Sequence, residues 1–112
     1  MKAPRLDRRM VLEDRRRVPD GAGGWTETWQ PLGEMWAELR PGLGRERRQE
    51  FAVISAVHYR VVVRGAPEGA PSRPRAGQRF RMGGRSFAIV GVAEHDPGAR
   101  FLTCFAYEEE GT

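Results

Sequence analysis

The chain is poor in the residues that build disulfide, metal and membrane sites. Cys104 is the one cysteine in 112 residues, which excludes an internal disulfide, and its apolar strand context is typical of a buried, unreactive thiol. The two histidines, His58 and His95, lie in different contexts, one on a predicted strand and one at a turn, so with a single cysteine no metal set is expected. No apolar run reaches the length of a membrane span, and the basic N-terminus lacks the apolar segment of a signal peptide. These shortages predict synthesis in the cytoplasm, no membrane contact, no metal and no cofactor.

Motifs for catalysis are also missing. The sequence has no nucleophile elbow, no Walker loop and no glycine-rich phosphate cradle between a strand and a helix. Gly83-Gly84 fits a two-residue hairpin turn in which both positions take positive φ. The paired acids Glu108 and Glu109 lie in a terminal segment that is too mobile for catalytic geometry. We therefore expect a protein that is not an enzyme.

The net charge is +4, and of the 19 basic residues only Lys2 is a lysine. A GC-rich coding sequence would explain this bias, and so would the suitability of arginine for ion pairs and phosphate contacts. The balance is too mild for a dedicated nucleic-acid binder, but it permits contact with a polyanion.

Period-two alternation and glycine or proline turns predict six strands, and hence an all-β fold: a small six-stranded barrel or sandwich. The strands are expected at 8–18, 34–40, 58–64, 79–82, 85–93 and 100–107. Residues 25–31 favour an extended entry into the second strand, so the first two strands should form a hairpin with a glycine-rich tip at 19–24. The return strand 85–93 is apolar on both faces, which predicts a central position.

The chain reads as a single domain, 1–112, with three irregular additions to the barrel 8–107. Residues 1–7 are expected to form a flexible arm and residues 108–112 an acidic tail. Residues 44–57 form a long loop that allows either a short helix or an irregular excursion. Residues 65–77 contain three prolines and predict an exposed loop.

The remaining candidate functional residues belong to the surface. Arg45, Arg47 and Arg48 form a basic cluster on the long loop, either as a solvated loop or as a contact to a neighbour or polyanion. The run 15–17 of three arginines favours a solvated strand end over a phosphate patch. Trp25, Trp29 and Trp36 are many tryptophans for a small domain; we expect at least one in the core and the others at an interface.

The order of these segments resembles the head–tail joining proteins, also called head-closure or stopper proteins, of tailed phages and gene transfer agents. The resemblance spans nearly the whole chain and is carried by Asp20-Gly21 and Trp25, Met35-Trp-Ala-Glu38 with Pro41 and Gly44-Arg-Glu46, the strand His58–Arg64, and the segment Gly83–Val90 with the closing strand. One departure is Gly65, which stands where the family usually has an aromatic residue.

The resemblance implies a β-barrel subunit that assembles as a ring, expected to be six-fold, at the head–tail interface of a virion or phage-like particle. Such a ring lies below the portal and adaptor proteins and above a tail terminator or tail tube protein. The loop 44–57 would line or close the channel and help retain packaged double-stranded DNA. Arg45, Arg47 and Arg48 would then contact DNA without regard to its sequence, while Trp25, Trp29 and Trp36 would serve the subunit interface.

Two alternatives remain at this stage. A stand-alone nucleic-acid-binding barrel of the OB or SH3-like kind predicts aromatic and basic residues interleaved on one sheet face. The segment Arg79-Phe80-Arg81 does not show this pattern, because Phe80 points opposite to its neighbours. Another neck protein, such as a tail terminator, would share the ring architecture.

Overall fold

The computed structural model describes residues 3–42 and 57–110, and within them it contains six β-strands and no helix. The strands are β1 (Arg8–Pro19), β2 (Trp25–Pro41), β3 (Val57–Arg64), β4 (Arg79–Met82), β5 (Arg85–Glu94) and β6 (Phe101–Glu108). In this part of the chain, no helix is long and apolar enough to cross a membrane.

All neighbouring strands are antiparallel, and they close into a barrel in the order β1-β2-β3-β6-β5-β4. Closure depends on a short pairing between β1 and β4, in which Leu12 lies opposite Phe80. The predicted all-β fold is therefore confirmed, and the barrel alternative is the one that the chain adopts.

The core follows from strand alternation, because every second side chain of each strand points into the barrel. The buried cluster contains Met10, Leu12, Ala37, Val61, Val63, Phe80, Phe87, Ile89, Leu102, Cys104 and Ala106. Phe80 is fully buried between two partly exposed arginines, as the alternation predicts. Tyr59 packs its ring edge-to-face on Phe87, with centroids 5.3 Å apart.

The hairpin of β1 and β2 is much longer than the barrel that it joins. Pairing of β1 with β4 ends at Glu13, whereas pairing of β1 with β2 continues to Pro19 opposite Trp25. A bulge interrupts the hairpin between Leu12 and Glu13, which lie opposite Gly33 and Pro31. Beyond the bulge, residues 14–30 form a two-stranded ribbon that protrudes from the barrel.

Several boundaries differ from the predicted ones. The second strand runs without a break from Trp25, since the bulge absorbs the irregularity of Pro31 and Gly33 within the ladder. Val57, which was predicted to end the long loop, begins β3, and the rest of that loop lies outside the described residues. Glu108, which was assigned to the acidic tail, ends β6 inside the sheet.

One turn and one loop also differ from their predicted conformations. Gly83 has a φ of 62°, but Gly84 lies outside the left-handed region; positive φ at the first central position alone is the pattern of a type II′ turn. The proline-rich loop is only partly exposed, because Pro74 and Gln78 are buried against the barrel. Gly65 begins this loop where a side chain has no room: a Cβ there would collide with the carbonyl oxygen of Ala99.

The return strand β5 has a neighbour on each side, yet its outer face is not covered. Val90 is 59% exposed, at a second bulge between Ile89 and Gly91. Apolar residues on both faces thus do not mean that both faces are buried in this strand. That residues 1–7 form a flexible arm stays a prediction; residues 3–7 lie near β2, where the Arg5 amide donates to Glu38 Oε2 at 3.2 Å.

Candidate assembly surface

The outer face of the long hairpin carries tryptophans and arginines opposite one another. Since Met10 and Leu12 point into the barrel, Arg9 and Glu13 point outward, and cross-strand partners share a face. The register places Arg9 opposite Trp36 and Arg15 opposite Trp29. With two arginines of β4, this surface is called here the arginine–tryptophan face: Arg9, Glu13, Arg15, Arg17, Trp25, Trp29, Trp36, Arg79 and Arg81.

Each tryptophan of this face stacks with at least one guanidinium group. The ring centroid of Trp36 lies 5.4 Å from Arg9 Cζ, and that of Trp25 lies 5.0 Å from Arg17 Cζ. Trp29 has two such neighbours, Arg15 at 5.2 Å and Arg79 at 4.2 Å. These cation–π contacts hold the rings against the sheet, and the rings of Trp25 and Trp36 remain more than half exposed.

A buried carboxylate anchors the centre of the face. Glu13 is 4% exposed, and its two oxygens accept hydrogen bonds from Arg79 Nε at 2.7 Å and Arg81 Nε at 2.8 Å. Burial acts to raise the pKa of Glu13, but the hydrogen bonds and positive charges of Arg81 and Arg79 outweigh it and leave the pKa below its ordinary value. Glu13 is therefore ionised at neutral pH, and it joins β1 to β4 where the barrel closes.

A second ion pair joins β5 to β6 at one end of their ladder. Arg85 donates to both carboxylate oxygens of Glu108, at 2.8 and 3.1 Å, and to the hydroxyl of Tyr59 at 3.3 Å. The Arg85 hydrogen bonds are the main reason that the pKa of Glu108 lies below its ordinary value. Glu108 has a fixed structural partner, unlike the mobile acid that the sequence predicted.

The three predicted interface tryptophans lie on one hairpin, and none belongs to the core. Trp25 and Trp36 are 58% and 51% exposed, and Trp29 is half-buried beneath Arg79. The expectation that at least one of them is a core residue is wrong, because the register turns all three rings toward the arginines outside the barrel. Their role at a subunit interface stays a prediction. Arg45, Arg47 and Arg48 lie outside the described residues.

Cys104 and His95 are held within the fold, whereas His58 is exposed on β3. Burial raises the pKa of the Cys104 thiol to about 12, as expected for an unreactive core cysteine. His95 Nδ1 lies 2.9 Å from Thr103 Oγ1, and its ring packs edge-to-face on Phe101. Among residues 3–42 and 57–110, no three His, Cys, Asp or Glu side chains are grouped so that they could hold a metal ion.

The fold and this surface define a class of protein: a small β-barrel that carries exposed aromatic and arginine residues on the outer face of one long hairpin. The family model for the phage head completion protein matches residues 1–110. The chain therefore belongs to the phage head completion protein family, and it is a structural protein of the virion of a phage or phage-like particle.

Two solved structures are similar to the chain over its whole length. A chain in the virion of a native gene transfer agent particle is 51% identical, with 98% of this chain and 100% of that chain covered and a TM-score of 0.79. A Shigella flexneri 2a protein, solved in solution, is 20% identical over the full length of both chains, with a TM-score of 0.70, which supports the fold. Among curated proteins, no sequence matches the chain.

Proposed function

We propose that the chain is a stopper, or head-closure, subunit that forms a ring between the portal and adaptor proteins and the tail. In this proposal the ring helps to retain packaged DNA and provides the surface on which the tail docks. The observation that carries the proposal is the 51% identity to a chain found inside an assembled gene transfer agent particle, across essentially the full length of both chains. A chain so similar throughout is expected to occupy the same kind of position in its own particle.

The outer surface supports an assembly role. Exposed tryptophan and arginine are the residues that protein interfaces favour, and here they share one face of a hairpin. The barrel closes without contacts from these rings. Their exposed position is therefore explained if neighbouring proteins cover them. The tail terminator or tail tube protein below and the adaptor above are the expected neighbours.

DNA retention is assigned to the loop 44–57, with Arg45, Arg47 and Arg48 as the contacting residues. A ring would repeat these three charges around its lumen, so the field at the axis would far exceed that of one subunit. Contacts of guanidinium groups with phosphates carry no sequence information, which suits a channel through which any DNA must pass.

The test replaces Arg45, Arg47 and Arg48 together by glutamine, with the triple lysine variant as the control that keeps the charge. We expect glutamine particles to contain less nuclease-protected DNA or to lack tails, and lysine particles to behave as the unmodified ones. Protected DNA is quantified after nuclease treatment, and tails are counted in negatively stained images. Glutamine particles with full DNA content and normal tails would show that the loop has another role.

One observation favours a second candidate, a nucleic-acid-binding barrel. Arginines and tryptophans are interleaved on the arginine–tryptophan face, which is the pattern that single-strand binders use for phosphates and stacked bases. On β4 the pattern is broken by the buried Phe80, and on the hairpin it arises only through the pairing of β1 with β2. Salt-dependent binding of single-stranded DNA by the isolated chain, lost when Trp29 and Trp36 are replaced by alanine, would favour this candidate over the stopper.

A further inference from the structure

The ribbon, residues 14–30, is the least covered part of the described structure. Nearly all of its side chains are exposed, since the neighbouring strand β4 pairs with β1 only as far as Glu13. A two-stranded hairpin is marginally stable when nothing packs on it. Its length and its exposed aromatic residues suggest that an assembled neighbour covers it.

The tip of the ribbon is apolar, and hydrogen bonds of one side chain close its turn. Val18, Pro19 and Trp25 lie together at its end, where Val18 is 41% and Trp25 is 58% exposed. Asp20 closes the turn: its Oδ1 accepts hydrogen bonds from the amides of Ala22 at 2.8 Å and Gly24 at 2.9 Å. A tip held in one shape loses little conformational entropy when it binds.

A groove lies at the opposite end of the same hairpin. It has a volume of about 680 Å³ and runs between the N-terminal segment, β2 and the start of the proline-rich loop. Leu6, Met35 and the half-exposed Trp36 supply apolar surface. Asp7 and Glu34 supply acidic groups and Arg64 one basic group, so the lining is acidic by one charge. This volume lies within the range of sites that bind compact groups such as a side-chain cluster.

We propose that the ribbon tip of one copy seats in this groove of a second copy, with Trp25 against the apolar wall. Arg17, which shares a face of the ribbon with Trp25, then approaches the acidic Asp7 and Glu34 of the neighbouring copy. The proposal rests on the proposed function, because it names the contact that would build the stopper ring.

The distance between tip and groove excludes the same copy as the occupant, and the match of an apolar, basic tip to an apolar, acidic groove points to a second copy. Arg8 lies at the end of β1 that is next to the groove, and Pro19 lies at the other end, in the ribbon tip. Eleven residue steps of extended strand separate the two residues by roughly 36 Å. No copy can fill its own groove across that distance. The two complementary surfaces are also different, so the contact is heterologous, and repetition of a heterologous contact generates a ring when the rotation closes.

The experiment introduces a cysteine at the tip, Thr26→Cys, and another in the groove, Ser72→Cys, in the full chain assembled into particles. Both positions are exposed, and Cys104 does not compete because its thiol is buried. After mild oxidation, non-reducing gels should show a ladder of dimers, trimers and higher species up to the ring. Either single variant should stay monomeric.

A matched control pairs Thr26→Cys with Ala93→Cys, which is exposed on β5, the strand across the barrel from β2. This pair should give no ladder. A further variant, Trp25→Ala in the tip–groove pair, should abolish the ladder while the chain remains folded, because Trp25 packs on no core residue. Persistence of the ladder without Trp25, or an equal ladder from the control pair, would overturn the proposal.

Labelling of a tagged chain in the same particles separates this proposal from the proposed function. If the label is found at the head–tail vertex but the tip–groove cysteine pair gives no ladder, the proposed contact is refuted and the stopper assignment stands. Label elsewhere refutes the stopper assignment, and the proposed contact falls with it.

Discussion

Replacement of Glu13 by glutamine tests the ion-pair cluster at the closure of the barrel. Each oxygen of the buried Glu13 carboxylate accepts one Nε–H, from Arg79 at 2.7 Å and from Arg81 at 2.8 Å. Glutamine has nearly the same size, but it keeps one acceptor and turns an NH₂ group toward the other arginine. The variant therefore removes the negative charge and sets two donors against each other without opening a cavity.

The magnitude follows from the burial of the three groups. A hydrogen bond to a charged group contributes about 1.5–3 kcal/mol, and loss of one partner of a fully buried pair costs about 3–5 kcal/mol. The side chains of Arg79 and Arg81 are 20% and 40% exposed, so water compensates part of the loss. We expect a loss of about 2 kcal/mol, or a fall in Tm of roughly 8 °C for a domain of this size.

The pKa shift of Glu13 also fixes the direction in which the stability difference should change with pH. The folded-state pKa of Glu13 lies below its ordinary value of 4.5, so its contribution to the free energy of unfolding is complete above that value. The contribution is lost as the pH falls through the folded-state pKa, where the unmodified carboxylate also takes up a proton. Thermal unfolding followed by circular dichroism should show a large Tm difference at pH 7 that shrinks as the pH is lowered toward 2.

The control is Glu27→Gln on the same face. Glu27 lies 3.9 Å from Arg15, and both side chains are more than half exposed, so the variant should change stability by at most about 0.5 kcal/mol. The reasoning is refuted if Glu13→Gln is as stable as the control at pH 7. It is refuted equally if the deficit keeps its full size at low pH.

Three further predictions address the core, the thiol and the ribbon tip. Phe80→Ala should lower the free energy of unfolding, measured in urea, by about 3–5 kcal/mol because it leaves a cavity in the core. The control Val90→Ala, on the exposed outer face, should change it by no more than about 0.5 kcal/mol. Equal effects of the two variants would contradict the assigned core. Cys104 should not react with a thiol reagent at pH 8 until the chain is unfolded, and rapid reaction of the native chain would show that it is accessible. Asp20→Ala should speed amide exchange at Ala22 and Gly24 with little change in Tm, and unchanged exchange would mean that the side chain does not hold the turn.

Local pattern was enough to predict the strands and much of the core. Phe80 shows why: two arginines flank it, and period two then requires the three side chains to alternate between core and solvent. Turns such as Gly83-Gly84 mark the ends of strands by their composition alone. Closure of the barrel could not be predicted this way, since it depends on pairing between β1 and β4, which are far apart in the chain.

Only part of the candidate surface could be predicted from the sequence, because the rest depends on contacts between strands that are far apart in the chain. Residue type alone predicts that three tryptophans, Trp25, Trp29 and Trp36, suit an interface. Their stacking on arginines depends on the hairpin register and, for Trp29, on Arg79 of a distant strand. The burial of Glu13 has no local signal, because both of its arginine partners lie more than 60 residues away. Pro74 likewise carries the composition of an exposed loop, yet tertiary packing buries it.

The closed ladder has a consequence for the time between synthesis and assembly. Among the described residues, each barrel strand has a hydrogen-bonded neighbour on both sides. Apart from the ribbon and the end of β5 beyond its pairing with β4, the barrel therefore offers little free edge on which another chain could add a strand and begin to aggregate. The flanks of the ribbon are open, but the charges of Arg15, Arg16 and Arg17 discourage such pairing there. A closed sheet of this kind therefore favours separate folded copies over edge-to-edge aggregates.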